Sequence, residues 1–210
     1  MFHKVLNLYS GVGGNRKLWP KDVSVTAVER REDVADAYSK LYPLDNIVIG
    51  DAHKFLEKNY MNYDFIWSSP PCQTHSGMRH NLGVGAKGFD PLMPDMSLYA
   101  EVIFLKHNAL PQQRWVIENV NPYYVPLIDA PLLQRHRYWA NFEIPLVKFP
   151  TDKLRSAQIP DLQRHHGINL SDFKIKGKRQ VLRNCVHPDM GKHVFNAALS
   201  SYRQPHPIGD

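Results

Sequence analysis

The feature that most constrains the fold is a rhythm of five short apolar runs, each closing on a glycine, a carboxylate, a serine or an asparagine. "KVLNLY" runs into "SGVGG", "VSVTAVE" ends at Glu29, "NIVIG" leads to Asp51, "DFIWSS" meets two prolines, and "RWVIEN" ends at Asn119. Runs this short and this apolar suit strands buried on both faces. Between them, "REDVADAYSKLY" and "MSLYAEVIFLKHNAL" place apolar residues at helical spacing, and the first opens on acidic residues, as a helix N-terminus favours. Strands alternating with helices predict an α/β fold of five buried strands in a parallel sheet with helices on its faces. In such a sheet the carboxyl ends of the strands face one crevice, and functional residues are expected there.

Length and composition narrow the classes. The 210 residues suffice for one good core and a small appendage, and 43% hydrophobic with 22% charged residues is an ordinary globular balance. No apolar run approaches the ~20 residues that span a bilayer, and "MFHKVLNLYSGVGG" reads as a strand and a glycine turn rather than a signal peptide. A cytoplasmic protein is expected, with no membrane partner. Two cysteines, Cys72 and Cys185, cannot build a disulfide framework or a cysteine-rich zinc site, and "RHHG" lacks the spacing of a metal motif, so no metal is expected.

The formal charge of +6 is uneven. Residues 1–105 hold 11 Lys and Arg against 12 Asp and Glu, whereas residues 106–210 hold 15 against 8. A basic C-terminal half suits a polyanion or a solvated basic face. After Pro150 the pattern loosens into "TDKLRSAQIPDLQRHHGINLSDFKIKGKR", read as a loop-rich basic appendage, before "QVLRNCVHPDMGKHVFNAALSSY" restores a turn and a helix. Residues 77–94 contain "GVGAKG" and read as a long functional loop.

Three short motifs carry chemistry. Gly11, Gly13 and Gly14 follow the first strand and allow a tight turn with backbone amides near a ligand. Glu29 and Asp51 close the next two strands, where carboxylates suit ribose hydroxyls and an adenine amine, so a nucleoside-bearing cofactor is the economical reading. In "SSPPCQ", Pro70 and Pro71 stiffen the backbone that carries Cys72, a thiol placed as a nucleophile would be, with Glu118 ending the adjacent strand. Arg135 and Arg137 in "QRHRYW" are two apart and, in a strand, share a face able to bind an anion or a carbonyl.

Together these residues resemble the cytosine-5 DNA methyltransferases over most of the chain. "LYSGVGG" is similar to the family's F-x-G-x-G-G turn with Tyr9 in the aromatic position, "PPCQTHS" to its proline-cysteine-glutamine turn, "IENV" to its glutamate-asparagine-valine, "QRHRYW" to its paired arginines, and "RNCVHP" to its glycine-asparagine-x-valine element with Arg183 in the glycine position. The resemblance implies a Rossmann-like methyltransferase sheet that binds S-adenosylmethionine, with a small basic C-terminal appendage. It implies catalytic roles for Cys72, Glu118 and the pair Arg135 and Arg137, between which the motif does not choose, because Gln134 stands one place later than the family's glutamine. It further implies a methyl-donor pocket of Tyr9, Gly11, Gly13, Gly14, Glu29, Arg30, Asp51, Ala52, Pro71 and Asn184. The implied substrate is cytosine in double-stranded DNA, flipped out of the helix, and the implied setting is a prokaryotic or phage-infected host cell. Residues 1–147 and 181–210 would form the catalytic domain and residues 148–180 a reduced target-recognition segment, in which Lys174, Lys176, Lys178 and Arg179 would contact phosphates. RNA as the acceptor polymer, an amino-methyltransferase and a binding relative without catalysis are the alternatives.

Overall fold

The structure, a computed structural model, describes residues 2–148 and 156–203. Seven strands form one sheet: β1 (Lys4–Leu8), β2 (Ser24–Glu29), β3 (Asn46–Ile49), β4 (Phe65–Ser68), β5 (Arg114–Val120), β6 (Leu132–Leu133) and β7 (His136–Ala140). Their order is β3-β2-β1-β4-β5-β7-β6. The first five are parallel, and β7 pairs antiparallel with β5 and β6. Each expected strand is present, but β3 is half-exposed at the sheet edge, with Ile49 52% exposed, because among the described residues no strand covers its outer side.

Helices cover both faces: α1 (Glu32–Leu41), α2 (Ala52–Asn59), α3 (Gly85–Lys87), α4 (Ser97–Asn108), α5 (Ile159–His166), α6 (Lys178–Arg183) and α7 (Pro188–Arg203). The period of two along each strand divides the core. Val5, Val25, Phe65, Trp67 and Val116 meet Val194, Phe195 and Ala198 of α7 on one face. Leu6, Leu8, Ile66 and Ile117 meet Leu56 of α2 and Leu98, Val102 and Leu105 of α4 on the other.

A third cluster corrects the sequence reading of the basic region. Leu162 and Leu182 of α5 and α6, with Ile168, Leu170 and Ile175 between them, pack against Val12 and against Val34 and Ala37 of α1. Residues 156–183 are therefore a layer of the core rather than a loop-rich appendage. Gln158 and Asp161 cap α5 reciprocally, and Gly167, at φ 59°, ends it. The helix is only eight residues long, too few for a period to stand out among basic neighbours. Residues 149–155 of the expected recognition segment lie outside the described residues.

Two close approaches fix the glycine turn. A Cβ on Gly14 would collide with the Cys185 Sγ and the Val186 carbonyl, and one on Gly191 with the backbone of Asn15. Arg16 and Asp45 form a buried bidentate pair, Nε to Oδ2 at 2.8 Å and Nη2 to Oδ1 at 3.0 Å, to which the Tyr38 hydroxyl also donates at 2.8 Å. Gly191→Ala should therefore lower stability by about 1–3 kcal/mol, read as a lower urea midpoint. Gly85→Ala, where a Cβ meets nothing within 4 Å, should stay within about 0.5 kcal/mol of the parent.

Candidate active site

The carboxyl ends of β1 to β5 open into a cavity of about 1460 Å³. Its walls include Tyr9, Gly11, Gly14, Glu29, Arg30, Asp51, Ala52, Pro71, Cys72, Glu118, Arg135 and Asn184. Gly13 and Arg137, also expected there, are not among the lining residues. The Gly13 carbonyl accepts from the Tyr42 hydroxyl at 2.7 Å, and a Cβ at Gly13 would strike Tyr38 and Tyr42, so this glycine serves packing behind the turn.

The half of the cavity around the glycine turn fits a nucleoside-bearing group. Gly11 sits at φ 53° with open space where a Cβ would be. Its N–H donates to Glu29 Oε2 at 3.0 Å, and Arg31 N–H donates to Oε1 at 2.9 Å, which fixes the carboxylate. Asp51 caps α2, its Oδ1 accepting from Lys54 N–H at 3.0 Å, which holds its carboxylate below the usual range. Tyr9, at φ 53°, donates from its hydroxyl to Glu101 Oε1 at 2.6 Å, and buried Glu101 also accepts from Ser68 at 2.6 Å and contacts His53 Nδ1 at 3.0 Å. The Ser10 hydroxyl is buried in the cavity wall with no hydrogen-bond partner, a polar group a ligand would satisfy. Sequence reading missed Ser10, Glu101 and His53, because a lone serine in a turn and two polar residues in helices carry no motif.

The other half holds the thiol. The Cys72 carbonyl accepts from His75 N–H at 3.1 Å and Ser76 N–H at 3.0 Å, and Asn119 Nδ2 donates to the Pro70 carbonyl at 2.9 Å. The asparagine of "IENV" thus anchors the proline turn, while the glutamate beside it faces the cavity. His75 is fully buried, its Nδ1 is 2.6 Å from the Tyr124 hydroxyl, and burial lowers its pKa. Residues 77–94 are largely helical, not a plain loop: a π-helical turn (Arg79–Val84) leads into α3, which Gly88 ends at φ 64°. This segment forms a wall of the cavity through Met78, Leu82 and Phe89.

Electrostatics set the thiol and carboxyl against their solution values. Burial pushes Glu118 up to about 7, against the pull of a hydrogen bond from Ser69 and the charge of Arg135. Burial also pushes Cys72 up to about 11, helped by the Glu118 charge and opposed by Arg135. The arginines do not share a face. Gln134, at φ 56°, is in a turn, β7 begins only at His136, and Arg135 precedes the strand and lines the cavity. Arg137 instead donates to Asn121 Oδ1 at 2.7 Å, Asp129 Oδ1 at 2.9 Å and the Ala130 carbonyl at 2.6 Å.

Of the basic residues expected at phosphates, Arg179 lines the cavity and its Nε donates to the Ala157 carbonyl at 3.0 Å, while Lys174 and Lys176 are exposed. Among the described residues no group of three or more His, Cys, Asp or Glu is arranged to hold a metal ion, and no helix is long and apolar enough to cross a membrane.

Comparison with known proteins gives a family match. The profile of the C-5 cytosine-specific DNA methylases matches residues 3–121, more than half of the chain. No curated protein matches. Among solved structures, the chain is similar to a DNA modification methyltransferase encoded within an E. coli prophage, at 23% identity over 59% of this chain and 33% of that one, TM-score 0.38. It is likewise similar to a DNMT2 variant from Spodoptera frugiperda, at 24% identity over 56% and 35%, TM-score 0.38. A SAM-dependent methyltransferase from Agrobacterium tumefaciens aligns at 17% identity over 58% and 40%, TM-score 0.42.

Arg135→Ala should leave thermal stability within about 0.5 kcal/mol. Arg137→Ala should cost about 0.5–1.5 kcal/mol, because it removes three hydrogen bonds, two of them to the solvent-exposed Asn121 and Asp129. Calorimetric unfolding of the two variants checks the division.

Proposed function

The chain belongs to the C-5 cytosine-specific DNA methylase family, and we propose that it methylates carbon 5 of cytosine in double-stranded DNA through covalent addition of Cys72 to a flipped-out base. One observation carries this reading: Cys72, Glu118 and Arg135 line the same cavity as the glycine turn, Glu29 and Asp51. When bound, S-adenosylmethionine supplies an electrophilic methyl group. Tyr9, Ser10, Gly11, Glu29, Asp51 and Asn184 would hold it. The proposed setting is the cytoplasm of a prokaryotic or phage-infected host cell.

Each residue has a task that its surroundings favour. The Cys72 thiolate would add to carbon 6 of the pyrimidine, which makes carbon 5 electron-rich enough to be methylated; loss of the carbon-5 proton to water and elimination of the Cys72 thiolate from carbon 6 would then release methylcytosine and the free enzyme. Negative charge then accumulates on the ring. The protonated carboxyl of Glu118 would meet it at ring nitrogen 3 and the guanidinium of Arg135 at the carbonyl oxygen. A carboxyl raised to about 7 is available in protonated form at neutral pH, as a proton donor to the ring requires. Extruding the base costs a few kcal/mol, and the segment 77–94 would close over it. The segment 148–180 would add phosphate contacts through Lys174 and Lys176, giving affinity with little base readout.

The raised thiol and the raised carboxyl define the pH dependence. The productive form has a thiolate and a protonated carboxyl. Below about pH 7 the carboxyl is protonated, so the rate should climb about tenfold per pH unit with the thiolate fraction. Above about 7 each gain in thiolate is offset by an equal loss of protonated carboxyl, so the rate should level until about 11. Glu118→Gln cannot ionise and should abolish the break near pH 7, at a lower overall rate. Transfer of tritiated methyl to DNA across this pH range, with bisulfite sequencing to locate the product, checks the reading. Label on an exocyclic amine, or undiminished transfer by Cys72→Ser, would refute it.

A further inference from the structure

His136 lies between the two arginines at the first position of β7 and has no role in the mechanism above. Its side chain is 19% exposed, lines the cavity, and places Nε2 3.5 Å from Glu118 Oε1. Backbone pairing sets this approach: β7 runs antiparallel to β5, with His136 opposite Val120 and Tyr138 opposite Glu118. The imidazole therefore reaches Glu118 diagonally, along one face of the sheet.

We propose that His136 is a positioning residue for Glu118: as a neutral imidazole it offers its Nε2–H to the outer carboxylate oxygen and so sets both the orientation and the acidity of the catalytic carboxyl. The inference rests on the methylase reading for its purpose, but the contact itself can be tested without turnover.

The surroundings of Glu118 single out this residue. Ser69 at the end of β4 donates to the carboxylate, Arg135 supplies a positive charge, and Cys72, Tyr138 and Cys185 are the other titratable groups that sense its charge. Tyr138 has a buried hydroxyl without a hydrogen-bond partner, so it does not hold the carboxyl in place. His136 Nε2 is in direct contact with it. Burial and the neighbouring Arg135 push His136 down to about 3, so the ring is uncharged at working pH and the contact is not an ion pair. A neutral donor is what the site needs, because an imidazolium there would draw the Glu118 proton off and empty the protonated form. At 3.5 Å the contact is long, as catalytic hydrogen bonds commonly are before substrate tightens them.

The test is a titration of the Glu118 carboxyl in the full-length, cofactor-free protein. The carboxylic-acid stretch is followed by infrared difference spectroscopy and assigned by its loss in Glu118→Gln. His136→Leu removes a donor to the charged form, so the Glu118 midpoint should rise by about half a pH unit or more. His136→Gln keeps an N–H without an ionisable ring and should leave the midpoint where it is. The onset of the rate plateau should move in parallel, upward for Leu and unmoved for Gln. Should the Leu variant fail to fold, His136→Met fills the same space without an N–H and should behave alike. A midpoint unchanged in Leu or Met, or shifted as far in Gln as in Leu, overturns the inference. A parent protein that transfers no methyl to cytosine overturns the methylase reading, and the infrared midpoints still decide the contact.

Discussion

The parallel pairing of β1 with β2 on one side and β4 on the other is the constraint on which the site depends. It sets the ends of these strands level, so that the glycine turn after β1, Glu29 after β2 and the proline turn after β4 emerge at one rim. Connections leave β1 and β4 toward opposite edges of the sheet, and the crevice opens at that reversal, as it does in open α/β sheets generally. Ser69 N–H donates to the Leu8 carbonyl at 3.3 Å, continuing the ladder beyond Ser68 and bringing the stiff Pro70-Pro71-Cys72 segment against the glycine turn. Positional slack is small where it matters, because the anchors of this segment are backbone carbonyls held by Asn119, His75 and Ser76.

Burial is the second consequence. Glu118 stands two residues before the end of β5, whose residues from Arg114 to Asn119 are all buried, on the face where Val116 packs against α7. Burial is the largest influence on both Glu118 and Cys72, and it disfavours charge on each. Two groups that both prefer neutrality at rest form a site that avoids a buried charge until a substrate supplies compensation. Arg135 tempers the effect from the cavity side, and its exposure lets it do so without the burial cost that a buried guanidinium would incur.

Much of this was legible in the residues, and the failures have physical causes. Strands buried on both faces announce themselves as apolar runs, so β1, β2, β4 and β5 were readable, as was the convergence of their terminal carboxylates and thiol. The arginine pair was misjudged because strand periodicity was extended one residue too far: the left-handed Gln134 puts a turn where the pattern continued, and Arg137 is consumed by Asn121, Asp129 and Ala130. His136 was hidden between two more conspicuous charges. The residues 77–94 looked like a loop because Gly83, Gly85 and Gly88 read as breakers, yet only Gly88 takes up a left-handed conformation and ends a helix.

The described part of the basic region gives its apolar side chains to the core. Leu162, Ile168, Leu170, Ile175 and Leu182 are all buried against α1 and the glycine turn. These are the large apolar side chains that an independent recognition module in the described part of this region would need for a core of its own. Their packing against α1 and Val12 leaves mainly polar side chains outward, and the Lys176 backbone is itself tied to Asp33 and Arg31. A surface of that kind binds a phosphate backbone through charge and carries little information about bases. On the proposed function, discrimination of the base itself would rest on groups of the cavity wall, Glu118 and Arg135 foremost.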